Sequence, residues 1–420
     1  MPAASAIASA SRYSIPATVS VTVTVFVSNI LPIAKKFGAA GARVIYSRES
    51  VKTKVLQVTQ QLTLQSIQVR TVSVPLKRPI VAKVGQLQDW PLILIDIYTK
   101  QGIVGRSYLE PYRQRSVAAI VHSIEDLADM FKGKPLAPLD VYAESMRSLH
   151  LVGREGITLI ALAGIDMAIW DALAKAANMP LASLLGGSPG PVRAYNTNGL
   201  WLKPLDELGD EAAALVSEGN YSAVKMRLGR ETIKDDMKAI AIVREAVGDD
   251  VQIMSDFNQG MAFGEALLRL HALDDQGLYW FEEPIVYDNI EAYAQITREI
   301  KTPIQIGENI YGPREFYKAV VAHAADLYMP DLMRIGGVTG WMRSASIAGA
   351  AGLPLSSHLY PEVSAHLMRA SESADWIESC DWALPLIAEP FEIKDGNIIV
   401  PDRPGSGIDW DEAAVKHYAI

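Results

Sequence analysis

The periodicity of hydrophobic and polar positions changes along the chain, and the first change separates a segment of predicted strands from a segment of predicted helices. Between residues 62 and 110, apolar and polar residues alternate in the runs LQSIQVRTVSV and PLILIDIYTKQGIVGRSYLE, which is typical of β-strands. The KQG sequence at residues 100–102 predicts a hairpin turn. Residues 116–185 then carry apolar positions at helical spacing, including GITLIALAGIDMAIWDALAKAANM. Strands followed by helices predict an α+β domain over residues 61–190.

After residue 190 short apolar runs alternate with helical stretches. The runs are VRAYNTN, SAVKMRLG, VQIMSDFN, LYWFEEP, PIQIGEN, DLYMPDLMR, PLSSHL and LPLIAEP. This makes about eight strand–helix units in roughly 200 residues, a pattern that predicts a (β/α)₈-type barrel over residues 191–390. Residues 391–420 contain glycine, proline and short strand signals, and we expect them to return to the first domain.

Nearly every predicted barrel strand ends in polar or ionisable side chains. They are Asn196 and Asn198, Lys225 and Arg227, Asp256 and Asn258, Glu282 and Glu283, Glu308 and Asn309, Asp331, His358 and Glu389. The active sites of such barrels lie at the carboxyl ends of the strands. Eight successive strands that deliver polar groups to one end therefore predict an enzyme.

Three of these acids predict a metal site. Asp256, Glu282 and Glu308 follow one another at intervals of 26 residues, each at the end of a successive strand. Taken singly, each is more simply explained as a solvated loop acid, but three converging carboxylates repel one another unless a cation neutralises them. Ligands that are all oxygen favour a hard divalent ion, and we predict one Mg²⁺ per chain.

A histidine and an aspartate predict the acid–base group. His358 ends the seventh predicted strand and Asp331 the sixth, so that the carboxylate can fix the imidazole tautomer and raise its basicity. A lone barrel histidine is usually structural, but its position and partner favour catalysis here. The other six histidines fall on helices, tails or outside strand ends, and we predict structural roles for them: His122, His150, His271, His323, His366 and His417.

The stretch VKMRLGR places two cations, Lys225 and Arg227, on the same face of a predicted strand. Two adjacent buried cations require an anion between them. A substrate carboxylate fits, because proton removal beside a carboxylate creates a doubly negative enediolate that cations and a divalent metal stabilise.

The composition of the chain limits which classes of binding partner are expected. The chain has 420 residues and a formal net charge of −9, which argues against a nucleic-acid partner, and its single cysteine, Cys380, excludes an intramolecular disulfide. We expect a cytoplasmic protein without a membrane partner. Residues 1–48 contain no acidic residue, and we leave residues 1–60 out of the fold as an N-terminal extension. That extension is interpreted as a disordered tail or an upstream start codon, as an organelle-targeting segment, or as a membrane anchor.

These motifs resemble those of the enolase superfamily, and within it the mandelate racemase group. The resemblance rests on VKMRLG, IMSDFNQG, WFEEP, IGEN, PDLMRIGGVTGW and SSHLYPEVSAHL, and it runs from about residue 64 to residue 420. It implies a modified (β/α)₇β barrel with an α+β capping domain. It also implies that Asp256, Glu282 and Glu308 bind Mg²⁺, that His358 and Asp331 form a catalytic dyad, and that Glu389 hydrogen-bonds the substrate carboxylate or the developing enediolate. Group members often form tetramers or octamers, so we expect a homo-oligomer.

Arg227 departs from the group's pattern. The racemases have a second lysine at this position as a base on the opposite face of the substrate, whereas Lys225 matches the first lysine. Arginine is a poor proton acceptor near neutral pH but a good ligand for oxygens. We therefore predict one-base elimination, a dehydratase of an acid sugar or related hydroxy acid. The alternatives are a racemase or epimerase of 2-hydroxy acids, a barrel that binds metal without catalysis, and other enolate chemistry such as cycloisomerisation.

Substrate specificity is predicted in the capping domain. The loop PIVAKVGQLQDW, residues 79–90, mixes apolar and polar residues, and Glu110 and Tyr112 follow the next strand. Together with Asn258 and Asn198 they are the predicted substrate-binding residues. Glu110 stands where an aromatic wall would favour aromatic acids, so its polarity favours a hydroxylated substrate.

Overall fold

The computed structural model describes residues 61–83 and 85–420. The interpretations of residues 1–60, as a tail, a targeting segment or an anchor, lie outside these residues. Val84, in the loop PIVAKVGQLQDW, lies outside them as well.

The first domain, the cap, is an antiparallel sheet covered by helices. Its strands, in the order β1-β2-β3, are β1 (Leu64–Ala82), β2 (Gly85–Thr99) and β3 (Val104–Leu109). The predicted turn at residues 100–102 joins β2 to β3. The helices that follow are α1 (Gln114–Phe131), α2 (Pro138–Ser148), α3 (Ile157–Ala176) and α4 (Leu181–Leu184).

Helix α3 forms the core of the cap because it lies directly on the sheet. Two glycines allow the close approach: a Cβ on Gly105 would stand 2.0 Å from the carbonyl oxygen of Ala168, and one on Gly164 would stand 2.4 Å from the Ile95 side chain. Over the described residues, α3 is the one helix long and apolar enough to cross a membrane, and 78% of that apolar segment is buried within the protein. Its hydrophobicity is thus explained by the core it fills.

The second domain is the predicted barrel. Its parallel strands run in the order β4-β5-β6-β7-β8-β9, and β10 pairs with β4. The strands are β4 (Gly190–Asn196), β5 (Ala223–Arg227), β6 (Gln252–Asp256), β7 (Phe281–Glu282), β8 (Ile304–Ile306), β9 (Leu327–Tyr328) and β10 (Ile377–Ser379). The α-helices between them are α5 (Leu208–Ser217), α6 (Ile233–Val247), α7 (Phe263–Leu273), α8 (Ile290–Glu299), α9 (Gly312–Val321), α10 (Leu332–Ile335), α11 (Gly337–Ala351) and α12 (Pro361–Arg369). Short 3₁₀ helices occupy Leu205–Glu207 and Leu384–Leu386.

Residues 355–358, from the predicted strand PLSSHL, close the barrel through backbone bonds. On one side Ser356 N donates to Tyr328 O (2.7 Å), and on the other Ser357 N donates to Trp376 O (3.0 Å). This segment therefore takes the seventh strand position of the barrel, between β9 and β10. Strand β10 then closes the barrel by pairing with β4. The predicted architecture, a capped α/β barrel of the (β/α)₇β kind, is confirmed, except that the last strand is β10 and not LPLIAEP.

The end of the chain binds both domains. Strands β11 (Glu392–Lys394) and β12 (Asn397–Val400) form a hairpin that pairs with β4 at the edge of the barrel. Helix α13 (Glu412–His417) then lies against the cap, where Ile420 N donates to Thr71 O (3.1 Å). The cap is thus built from both the beginning and the end of the described chain.

His366 on α12 makes stability depend on pH. Its Nδ1 accepts from Ala182 N (3.1 Å), and burial lowers the pKa of His366 from 6.5 to about 4. Below pH 6.5 the unfolded chain binds a proton that the folded chain does not bind until about pH 4. We expect the free energy of unfolding to fall by about 3 kcal/mol over this interval from His366 alone.

Urea unfolding at pH 7 and pH 4.5 checks this for the wild type and for His366→Gln, which keeps an acceptor but cannot charge. The variant should lose less stability on acidification than the wild type does. An equal loss in the two proteins would show that His366 does not contribute.

Candidate active site

Three carboxylates meet at the carboxyl ends of neighbouring barrel strands. Asp256 ends β6, Glu282 ends β7 directly opposite it, and Glu308 follows β8. Each offers one oxygen, and these oxygens lie within 4.8 Å of one another. The equal spacing in sequence thus becomes one cluster, as predicted.

The backbone around the cluster is strained. Asn258, Gln259 and Glu283 adopt φ angles of 46°, 59° and 36°, a region that few residues other than glycine adopt. Gly307 has a φ of 135°, and a Cβ there would lie 2.8 Å from Met329 N. Strained backbone concentrates at functional sites, where the surrounding structure holds it in place.

Burial makes this cluster difficult to ionise by itself. Burial raises the pKa of Glu282 well above its ordinary value, against the charge of Lys225, and it also raises the pKa of Asp256. For Glu308 burial acts in the same direction, but the charges of His358 and Lys225 lower its pKa overall. A buried set of three oxygen donors is the arrangement that a hard divalent cation neutralises.

Lys225, on β5, is held between two carboxylates. Its Nζ lies 2.9 Å from Glu282 Oε1 and 2.8 Å from Glu378 Oε1. Burial favours the neutral amine, but the charges of Glu282 and Glu378 prevail and raise the pKa of Lys225. Lys225 is therefore paired with two carboxylates, one of which is the predicted metal ligand Glu282.

The acid that contacts Lys225 is Glu378, which was not among the residues predicted from the sequence. The predicted acid, Glu389, lies elsewhere. Glu378 lies on β10 and is 1% exposed. Burial raises its pKa, but Lys225 and His358 outweigh burial and lower it to about 2. Glu389 has a side chain that is 77% exposed and pairs with Arg403 (2.6 Å), away from the cavity. The prediction for Glu389 is corrected because the run before it forms a 3₁₀ helix and a loop, so that it ends no strand.

His358 and Asp331 lie together as predicted. Asp331 Oδ2 is 2.7 Å from His358 Nδ1, and its Oδ1 accepts from the backbone of Met333 (2.8 Å) and Arg334 (3.1 Å) at the start of α10. With both oxygens engaged, Asp331 holds the imidazole in one orientation. Its Nε2 lies 3.2 Å from Glu308 Oε2 and 3.9 Å from Glu378 Oε2, at the edge of the carboxylate cluster. Burial opposes the charged ring, but Glu308, Glu378 and Asp331 together raise the pKa of His358.

Arg227 is fixed by contacts that suit a guanidinium. Its Nη1 donates to Thr197 Oγ1 (3.1 Å), and its plane lies 4.1 Å from the centre of the Trp201 ring. Its Nε, 3.5 Å from Asp256 Oδ2, is buried without a hydrogen-bond partner among the described residues. Arg227 thus stands beside the carboxylate cluster with donor capacity left over.

A cavity of about 170 Å³ opens above these groups, between the barrel and the cap. Its polar lining is Arg227, Asp256, Asn258, Gln259, Glu308, Asn309, Arg334, His358 and Glu378. Its remaining lining is Ile80, Ala82, Leu87, Trp90, Tyr112, Trp201 and Trp382. Asn258 and Tyr112, which are predicted to bind substrate, both line this cavity.

Two predicted substrate-binding residues lie elsewhere. Asn198 is tied into the structure, since its Nδ2 donates to Asn196 Oδ1 (3.0 Å) and its Oδ1 accepts from Asp381 N (3.0 Å). Glu110 is fully buried behind the cavity, and burial raises its pKa well above its ordinary value. The prediction that Glu110 makes the wall polar is corrected, because Trp90, Trp201 and Trp382 form that wall.

Comparison with known proteins accords with this geometry. Residues 66–186 match the mandelate racemase / muconate lactonizing enzyme N-terminal domain, and residues 207–414 match the enolase C-terminal domain-like family. The L-talarate/galactarate dehydratase of Salmonella typhimurium is 31% identical over 330 residues, which are 78% of this chain and 82% of that protein.

The chain belongs to the mandelate racemase / muconate lactonizing enzyme family of the enolase superfamily.

Two solved members of the family are similar over their whole length. An enolase from alpha proteobacterium bal199 with bound Mg is 51% identical, with a TM-score of 0.84, over 86% of this chain and 100% of that one. An enolase from Bradyrhizobium complexed with magnesium and mandelic acid is 36% identical, with a TM-score of 0.82, over 86% and 99% of the two chains. Other curated relatives include sugar-acid dehydratases, two cycloisomerases, a racemase and an epimerase, at 24% to 34% identity.

Membership of this family agrees with the donor set found here. The metal is Mg²⁺, as predicted, and Asp256, Glu282 and Glu308 are the residues that would hold it, since their oxygens converge and no softer ligand lies among them. Lys225 and Arg227, at the end of β5, lie beside this donor set.

Proposed function

We propose that the protein is a Mg²⁺-dependent dehydratase that removes the α-proton of a 2-hydroxy carboxylate and expels a hydroxyl group from the β-carbon. The observation that carries this proposal is the asymmetry of the site. His358 has Asp331 behind it, as a base requires, whereas Lys225 lies between two carboxylates and Arg227 lies on the Trp201 ring. A site with one base supports elimination, because racemisation needs a second base or acid on the opposite face.

His358 takes the α-proton on Nε2. Asp331 keeps the other ring nitrogen protonated and stabilises the imidazolium that forms, which contributes a factor of about 10² to 10⁴ for a positioned base. Because Glu378 lies 3.9 Å from His358 Nε2, its carboxylate also stabilises the charged ring. His358 can then return the proton to the departing β-hydroxyl.

The cations bind the carboxylate end of the substrate. Mg²⁺, when bound, supplies positive charge beside the oxygens on which the enediolate charge develops. Lys225 supplies a second positive charge from its position beside Glu282. The Nε–H group of Arg227, which has no hydrogen-bond partner among the described residues, can donate to a substrate oxygen. Arg227 is pre-organised for this task, since Trp201 and Thr197 already fix its plane.

The net reaction converts a 2,3-dihydroxy carboxylate into water and an enol, which becomes a 2-oxo-3-deoxy acid. The Cα–H bond and the Cβ–O bond break, a carbon–carbon double bond forms, and the removed proton leaves with the hydroxyl as water. Dehydratases of talarate/galactarate and arabinonate among the relatives support this choice.

A racemase or epimerase of 2-hydroxy acids is the second candidate. The aromatic side of the cavity favours it, and so does the related Bradyrhizobium enolase complexed with mandelic acid. This candidate requires that Arg227, or a water molecule it holds, exchanges a proton on the face opposite His358.

Turnover in D₂O with Mg²⁺ distinguishes the two reactions. The dehydratase should form 2-oxo-3-deoxy acid and should exchange the α-proton of unreacted substrate on one face only, and excess chelator should abolish both. Deuterium that enters both epimers at comparable rates would overturn the proposal in favour of the racemase. Activity that survives the chelator would refute the metal assignment, and a protein that neither eliminates nor exchanges would be a barrel without this chemistry.

A further inference from the structure

We propose that the preferred substrate is a 2,3-dihydroxy carboxylate whose third carbon carries an apolar group, aryl or branched alkyl, in place of a polyhydroxylated chain. The inference rests on the proposed function and names the substrate class of that site. It is carried by the division of the cavity into a polar side at the strand ends and an apolar side at the cap.

The apolar side is a continuous surface of six residues, called here the apolar wall: Ile80, Ala82, Leu87, Trp90, Trp201 and Trp382. The first four come from the cap, and the two others come from barrel loops. The ring centroids of Trp90 and Trp382 lie 4.4 Å apart, and the Trp201 ring packs against the guanidinium group of Arg227. A substrate whose carboxylate meets the polar side therefore directs its far end at this wall.

Two of the three tryptophans of the wall offer no hydrogen bond to that far end. The indole nitrogens of Trp90 and Trp201 are buried in the protein, and they do not open into the cavity. Tyr112 also lines the cavity, but its hydroxyl is buried in the same way. A hydroxyl of a sugar-acid tail placed against Trp90, Trp201 or Tyr112 would lose its water without gaining a partner there, which weakens binding about tenfold to a hundredfold per hydroxyl.

The wall is also held in place. Leu202 N donates to Val81 O (2.8 Å), which ties the cap loop to the barrel loop that carries Trp201. The Lys83 stem packs on Gly229 and Gly260, where a Cβ would lie 3.2 Å and 2.6 Å from its carbons.

Matched substrates test the inference with the Mg²⁺-loaded protein. We expect 2,3-dihydroxy-3-phenylpropanoate to be dehydrated with a kcat/KM at least about a hundredfold above that of gluconate, whose tail carries three further hydroxyls. Threonate, with one further hydroxyl and no apolar group, should also fall below the phenyl compound. A higher kcat/KM for gluconate would overturn the inference and leave the dehydratase proposal standing.

A substitution in the apolar wall tests whether this surface sets the substrate preference. Leu87 is half-buried, so Leu87→Asn is expected to fold, and it places an amide on the wall. The preference for the phenyl compound over gluconate should fall about tenfold. Leu139→Asn, at a cap residue that is 56% exposed and outside the cavity, is the matched control and should leave the preference unchanged. An unchanged preference in Leu87→Asn would contradict a role for the wall.

Binding separates failure of this inference from failure of the dehydratase proposal. Calorimetric titration of the Mg²⁺-loaded protein compares 2-hydroxy-3-phenylpropanoate, which has no β-hydroxyl to lose, with gluconate. Tighter binding of the phenyl compound supports the inference even if no substrate is dehydrated. Tighter binding of gluconate overturns it whatever the reaction.

Discussion

Replacement of His358 by asparagine is expected to lower both elimination and α-proton exchange by about 10⁴-fold, which corresponds to about 5.5 kcal/mol in the activation barrier. The physical reason is that, in the proposed mechanism, His358 Nε2 accepts the α-proton, while Lys225 is paired with Glu282 and Glu378. The two rates, measured by product formation and by deuterium incorporation, should fall together because one group serves both steps.

The matched control for this variant is His323→Asn. His323 is exposed and adopts a φ of 54°, a conformation that asparagine tolerates, so the control should keep full activity. Substantial exchange that persists in His358→Asn, now on the opposite face, would reveal a second base and contradict the one-base mechanism.

Arg227→Lys is expected to change the stereochemistry of exchange. An amine at this position has a positively charged neighbour in Lys225, which lowers the pKa of an adjacent amine and lets it accept a proton. We expect deuterium to enter both epimers of a 2-hydroxy acid, at a rate at least about tenfold above the wild type on the second face. The rate of dehydration should fall about a hundredfold, because the variant loses the guanidinium group that Trp201 holds in place and that can donate two hydrogen bonds to one substrate group.

Arg227→Met supplies the comparison, since it removes the charge without adding a base. It should lose dehydration without any gain in exchange. If Arg227→Lys and Arg227→Met behave alike, a base on the second face is not what the lysine adds. No change in either variant would mean that Arg227 takes no part in the reaction.

The metal cluster could be predicted from sequence because the barrel repeats its strand–helix unit. Asp256, Glu282 and Glu308 each end a strand, and parallel strands bring their ends to one edge, so regular spacing becomes proximity. The contact between His358 and Asp331 follows from the same rule. These predictions needed only the order of the strands.

Glu378 was missed because its strand carries almost no signal. Strand β10 is three residues long, whereas the longer apolar run LPLIAEP resembles a strand and ends in Glu389. Pro385 lies inside that run, and a proline there argues against a central strand. The proline was the available clue that the last acid of the site lay earlier in the chain.

The apolar wall could not be predicted because it is assembled across the two domains. Trp201 and Trp382 follow β4 and β10 in irregular loops, and Trp90 lies on β2 of the cap. Nothing in their local sequence places them together, since periodicity describes one element at a time. For the same reason the burial of Glu110 behind the wall has no signature in the sequence.

The return of the chain end to the cap bears on attempts to change specificity by exchanging domains. Helix α13 and the final residues complete the cap sheet, with Glu412 paired to Arg70 and Ile420 bonded to Thr71. A recombinant cap taken from a relative therefore needs two junctions, one before β4 and one after β12. A chimera with a single crossover would combine the strands and helices of one cap with the C-terminal helix of another, and it would lose the matched contacts between them even though the barrel and its metal ligands were intact.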